Sequence, residues 1–221
     1  MNNQNKKALV ISLLFLVVSV FEIYGTIQNS RLLEFIFKPL ITVSLALLYI
    51  VSVKKPSFLF ISALFFSFWG DVLLLFPEKY FVLGLVSFLL THLIFIKIIR
   101  GFISNVDSKL FLKSGIFFVA YFGGIVYLIF ENLNELLIPV LVYGLVISTF
   151  GTFATVNYVK NKATENLWLL VGALIFILSD SIIAINKFYM ENASLGSLIM
   201  ITYIVAQYLI CKAMIAKTMQ D

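Results

Sequence analysis

The chain has 221 residues, 62% of them hydrophobic and only 12% charged, with a mean hydropathy of +1.06 and a formal net charge of +5. That composition excludes an ordinary soluble domain and indicates an integral membrane protein. A lone Cys211 excludes a disulfide framework and a thiolate metal cluster, and basic residues placed at the ends of apolar runs, with no patch of interleaved aromatics, exclude a nucleic-acid partner.

A spanning helix needs about 20 apolar residues, and the chain divides into eight such runs. The first, Ala8–Tyr24, follows Lys6 and Lys7 as a signal peptide would, but it lacks a small-residue cleavage site and leads directly into further spans. It reads as helix one, with Glu22 at its far end. The second, Phe35–Val53, opens on Lys38 and Pro39, and the third, Ser57–Phe76, contains the stretch FFSFWGDVLLLF with Asp71 inside it. A carboxylate at the bilayer centre costs about 2.5–3.5 kcal/mol even on lenient scales, which marks Asp71 as functional by default. The fourth run, Tyr80–Ile99, aligns Gly84, Ser87, Thr91 and His92. The fifth and sixth are Leu110–Phe130 and Leu136–Val156. The seventh, Asn166–Asn186, places Gly172, Phe176, Ser179 or Asp180, Ile183 and the closing Lys187 on one stripe; the eighth, Ser194–Ala216, aligns Gly196, Tyr203 and Gln207. The expected fold is therefore a single all-α domain of eight transmembrane helices, with small residues marking close helix contacts.

Loop charge sets the orientation, because cytoplasmic loops hold the excess of Lys and Arg. With the N-terminus inside, twelve basic residues fall on the inner side, among them Lys54, Lys55, Arg100, Lys160 and Lys217, and only Arg31, Lys38, Lys79 and Lys187 fall outside. Both termini are expected in the cytoplasm, in the cell (inner) membrane. A weak internal repeat accompanies this topology. Helices two and six begin with Pro39 and Pro139, helices three and seven carry GDVLL and SDSII, and helices four and eight open on Leu-Gly. The order suggests two parallel halves of four helices each.

At about 1.5 Å of rise per residue, Asp71 lies roughly 8 Å and Asp180 roughly 10 Å below the outer boundary. Lys38, Lys187 and Glu22 lie near the outer ends, and His92 and Tyr203 nearer the middle. The inner half is expected to be nearly pure hydrocarbon. Structural readings stand beside the functional ones: the aspartates as partners of lysines, Lys38 and Lys187 as snorkelling anchors, and His92, Tyr203 and Gln207 as packing or helix-joining residues.

The ordered set KPL at Lys38, GD at Asp71, GLVSFLLTH ending at His92, GALIFILSDSIIAINKF around Asp180 and TYIVAQYLI from Thr202 resembles the YhhN-like lysoplasmalogenases, multispanning membrane hydrolases. The chain departs from that family's pattern at Phe95, where a tyrosine is usual, and near Phe150, where a methionine is common. The resemblance implies eight spans and a lysophospholipid substrate. The expected reaction cleaves the vinyl ether bond of a lysoplasmalogen, releasing a fatty aldehyde and a glycerophospho-alcohol of the ethanolamine or choline type. By position it implies Lys38, Asp71, His92, Asp180, Tyr203 and Gln207 as site residues, with no cofactor and no metal.

That chemistry suits what the residues offer. Protonation of the carbon beta to oxygen creates an oxocarbenium-like centre that water attacks, and two carboxyl groups flanking such a centre is the logic of glycosidases. Asp71 and Asp180 are therefore expected as the catalytic pair, one as general acid and the other as base, with Lys38 and Lys187 as point charges for the phosphate. Two other classes stay open. A metal-dependent membrane lipid hydrolase would use Asp71, Asp180 and His92, although a single histidine is few for catalytic zinc. A proton-coupled transporter of a small molecule or lipid would use the aspartates as a relay, although no polar route leads inward.

Overall fold

The computed structural model describes residues 3–220, and among these every regular element is helical. In chain order they are α1 (Asn3–Ile27), α2 (Arg31–Ser52), α3 (Phe58–Leu73), α4 (Pro77–Phe102), α5 (Ser108–Ile129), two short 3₁₀ turns, α6 (Leu137–Lys160), α7 (Thr164–Phe188) and α8 (Ala193–Thr218). Each matches one apolar run. Seven are long and apolar enough to cross a membrane. The eighth, α3, has 16 residues, a length of about 24 Å against a hydrocarbon core of about 30 Å.

The shortness of α3 differs from the expected run to Phe76 and has a local cause. Pro77 takes the first position of α4, where its fixed φ and missing N–H are tolerated. Residues 74–76 then form the turn that delivers the chain to it, closed by the Leu75 N–H on the Val72 carbonyl at 3.3 Å and the Phe76 N–H on the Leu73 carbonyl at 3.1 Å. Hydropathy cannot mark this end, because Leu74, Leu75 and Phe76 are as apolar as the helix before them. At the α1–α2 turn, Asn29 adopts φ 51°, a left-handed conformation that asparagine tolerates. Asp107 and Asn192 cap α5 and α8 through their side chains.

Helices adjacent in sequence pack as neighbours: α1 on α2, α3 on α4, α5 on α6 and α7 on α8. Across the bundle α4 meets α6, and α8 meets both α1 and α2. The α7–α8 contact is tight because Gly172 lets the backbones approach. A Cβ there would stand 3.2 Å from both the Ala206 carbonyl oxygen and the Ile210 nitrogen.

The main core runs through Tyr49, Phe60, Phe95, Phe150, Phe176 and Ile210, all buried. One set of buried polar groups surrounds Asp71. Another lies at the opposite end, where Asn157 donates to the Asn166 side-chain oxygen at 2.8 Å and ties α6 to α7. That end is thus less purely hydrocarbon than the sequence suggests, because two amides close on each other and no longer need water.

Candidate functional site

On α3, Ser67 and Asp71 lie one turn apart on the face turned to α8, which returns Tyr203 and Gln207 with the same spacing. The Tyr203 hydroxyl donates to Asp71 Oδ2 at 2.8 Å. Gln207 Nε2 donates to the Tyr203 oxygen at 3.2 Å and to Ser67 Oγ at 3.1 Å. Ser67 in turn meets Thr91 of α4 at 3.3 Å. Ser67, Asp71, Thr91, Tyr203 and Gln207 are therefore one network joining α3, α4 and α8. Asp71 is 2% exposed and Gln207 fully buried.

Lys38, half-buried about two turns into α2, lies within electrostatic reach of Asp71. One turn deeper, Thr42 stands beside the same carboxyl and donates to the Pro39 carbonyl at 3.2 Å. Glu22 of α1 completes this side. It is fully buried, interacts electrostatically with Lys38 and Asp71, and neither of its oxygens has a hydrogen-bond partner among the described residues.

Asp180 lies on a different face. It takes its own tyrosine, Tyr143 of α6, whose hydroxyl donates to Asp180 Oδ2 at 2.5 Å. It lines two narrow apolar clefts of about 60 Å³ each, one walled by Phe81, Leu85 and Phe188, the other by Tyr121, Phe122 and Ile147. Lys187 packs on two of the first cleft's walls: its Nζ stands 4.5 Å from the centre of the Phe81 ring and 5.9 Å from that of Phe188. The aromatic group Phe88, Phe176 and Tyr203, with centroids 5.6–6.2 Å apart, links the two aspartates: Tyr203 bonds Asp71 and Phe88 lines the first cleft of Asp180. Tyr203 interacts electrostatically with both.

His92 joins neither carboxyl. A carbonyl oxygen can only accept, so His92 Nδ1–H donates to Phe88 O at 2.8 Å and Nε2 remains an acceptor without a partner among the described residues. Its ring is boxed by Phe95, Tyr143, Phe150 and Phe176 at 4.7–6.3 Å. Phe95 and Phe150, the two departures noted in the sequence, are both walls of this box. No three His, Cys, Asp or Glu side chains gather as a metal site would require among the described residues.

Two residues of this site were not among the sequence candidates. Tyr143 stands one turn after Pro139, the proline that opens helix six, and that spacing was its only signal. Glu22 was visible as a charge near the outer end of helix one, but nothing local shows that it points into the bundle rather than to the headgroups.

Residues 33–214 match the YhhN family. Proteins named lysoplasmalogenase from Mycobacterium bovis and Mycobacterium tuberculosis are each 31% identical over 164 residues, which covers 68% of this chain. The chain spans 58% of the length of those relatives. No solved structure matches it. The extent of the family match, across most of the chain and including Lys38, both aspartates, Tyr203 and Gln207, makes this eight-helix protein a member of the YhhN family.

Proposed function

We propose that this protein is a membrane lysoplasmalogenase that hydrolyses the vinyl ether bond of a lysoplasmalogen by acid/base catalysis with Asp71 and Asp180. The observation that carries the reading is the arrangement of two intramembrane carboxyls, each held by its own tyrosine and linked by one aromatic group, with Asp180 at two apolar clefts. An intramembrane ionisable residue is costly unless it is used, and here two such residues are oriented by dedicated donors. The name of the mycobacterial relatives supplies the substrate class.

In the proposed reaction the alkenyl chain enters from the cleft side, where Asp180 meets it. One carboxyl delivers its proton to the carbon beta to the ether oxygen, and the oxocarbenium that results is stabilised by the ionised partner. Water, deprotonated by that partner as it attacks, adds to the cationic carbon. The hemiacetal then collapses to a fatty aldehyde and a glycerophospho-alcohol. One water is consumed and the proton is returned, which suits a pair of carboxyls exchanging roles. Lys38 binds the phosphate as a point charge, and Lys187 packs on the walls of the first cleft. Glu22, buried and unpartnered beside Lys38, is the counter-charge for the ammonium of an ethanolamine or choline headgroup. Tyr203 and Gln207 orient Asp71, Tyr143 orients Asp180, and His92 shapes the aromatic wall. With both termini in the cytoplasm, the orientation that the loop charges support, the site would lie in the outer half of the inner membrane.

The test is aldehyde release by purified protein from a lysoplasmalogen and from its saturated alkyl-ether analogue. Aldehyde is expected from the first only. Equal cleavage of both, or of neither by a well-folded preparation, would remove the reading.

A further inference from the structure

A cavity far larger than the clefts at Asp180 lies away from the aspartates. A hollow of about 720 Å³ lies at the other end of the bundle, formed where α1, α2, α4 and α8 finish or begin and α3 starts. Along α3, the 12 residues from Leu59 on its wall to Asp71 correspond to about 18 Å, so the hollow and the acidic site are separate places. Its volume is that of a small-molecule site.

Its lining is one-signed. Lys54 and Lys55 come from the α2–α3 connection, Lys97 from the last turns of α4 and Lys217 from the end of α8, and no Asp or Glu contributes among the described residues. The floor is apolar, with Phe102 and Met214, and Lys217 lies 4.2 Å over the Phe102 ring centre. Polar side chains hold the rim in shape: the Tyr49 hydroxyl bonds Thr218 at 2.9 Å and accepts from the Ser57 N–H at 3.0 Å, and Gln4 of α1 donates to the Ser52 carbonyl at 3.2 Å. A lysine at the end of a helix complements the carbonyl dipole there, which accounts for each residue type. It does not account for four ammonium groups from three separate elements meeting around one hollow with a greasy floor.

The geometry points to a binding site for a phosphate-bearing amphiphile of net negative charge: the lysines take the anionic phosphate headgroup and the apolar floor takes the first part of its chain. Clusters of four to eight basic residues beside membrane helices have this chemistry toward anionic headgroups, and the hollow sits where helix ends meet the headgroup layer. The site is independent of the vinyl ether reading, because none of its residues belongs to the aspartate network.

The experiment titrates delipidated full-length protein in detergent with phosphatidylglycerol, phosphatidylcholine and inorganic phosphate, counting bound molecules by native mass spectrometry. One phosphatidylglycerol is expected per chain, bound well above phosphatidylcholine. A basic residue near an anionic lipid surface contributes a factor of about five, so the triple variant K54Q/K55Q/K97Q should bind on the order of 100-fold more weakly. The variant K109Q/K113Q/K162Q removes the same charge from the same end of the molecule outside the hollow and should bind as wild type. If the first triple does not fold, K97Q alone should show the single factor of about five. Displacement of the lipid by millimolar inorganic phosphate would identify a soluble phosphate as the ligand of the same site. Equal loss in both triples, or equal binding of the two lipids, would overturn the proposal by reducing the lysines to general surface charge.

Discussion

Replacing Asp71 with Asn tests the proposed catalytic pair with little change of shape. The Asn side-chain oxygen can keep accepting from the Tyr203 hydroxyl, now 2.8 Å from Asp71 Oδ2, and the buried network through Gln207 and Ser67 stays closed. What disappears is the acid/base function and the charge facing Lys38. Loss of proton transfer commonly lowers rate by a factor of about 100 to 10,000. The structural cost is the charge assistance of one hydrogen bond, about 1 kcal/mol, which for a chain of this size lowers the melting temperature by roughly 2–4 °C. Turnover per folded molecule and thermal unfolding are measured on the same detergent preparation. Because Asp71 and Asp180 would act as a unit, the double Asn variant should be little slower than the poorer single one. Near-normal turnover in well-folded Asp71→Asn protein would refute the catalytic assignment. A large fall in folded yield with unchanged specific activity would make Asp71 a structural partner of Tyr203.

Four further expectations follow from other contacts. Tyr143→Phe keeps the ring beside His92, at 5.7 Å, and removes the donor to Asp180; a hydrogen bond to a charged group is worth about 1.5–3 kcal/mol, so the melting temperature should fall by roughly 3–12 °C and steady-state kinetics per folded molecule should show kcat/KM falling roughly 10- to 150-fold. Glu22→Gln should raise KM for lysoplasmalogens carrying an ammonium headgroup and leave KM for a headgroup-free phosphate analogue unchanged, as read by aldehyde release. Gly172→Ala presses a methyl against the α8 backbone at 3.2 Å and should cost about 1–3 kcal/mol, seen as a lower melting temperature. A cysteine introduced at Lys160 should react with membrane-impermeant thiol reagents only after the cytoplasmic side is opened, against a silent background because Cys211 is fully buried.

Much of this molecule was legible before any coordinates. Hydropathy marked all eight helices because in a bilayer every backbone group must be satisfied within its own segment, so span and helix coincide. The cost of a charge in hydrocarbon singled out Asp71 and Asp180, and the i, i+4 spacing of Tyr203 with Gln207 already put that pair on one helix face. Packing between helices decided the rest. Nothing local distinguishes Tyr143 from the other tyrosines as the partner of Asp180, or shows that His92 meets four aromatic rings rather than a carboxyl. Helix rotation, set by side chains that interlock across α4, α6 and α7, determines both. Glu22 owes its burial to the α1–α2 and α1–α8 contacts, and the basic hollow exists only because four helix ends and a connection, widely separated in sequence, arrive at the same place. Periodicity records which residues share a face of one helix; which faces meet is a property of the assembled bundle.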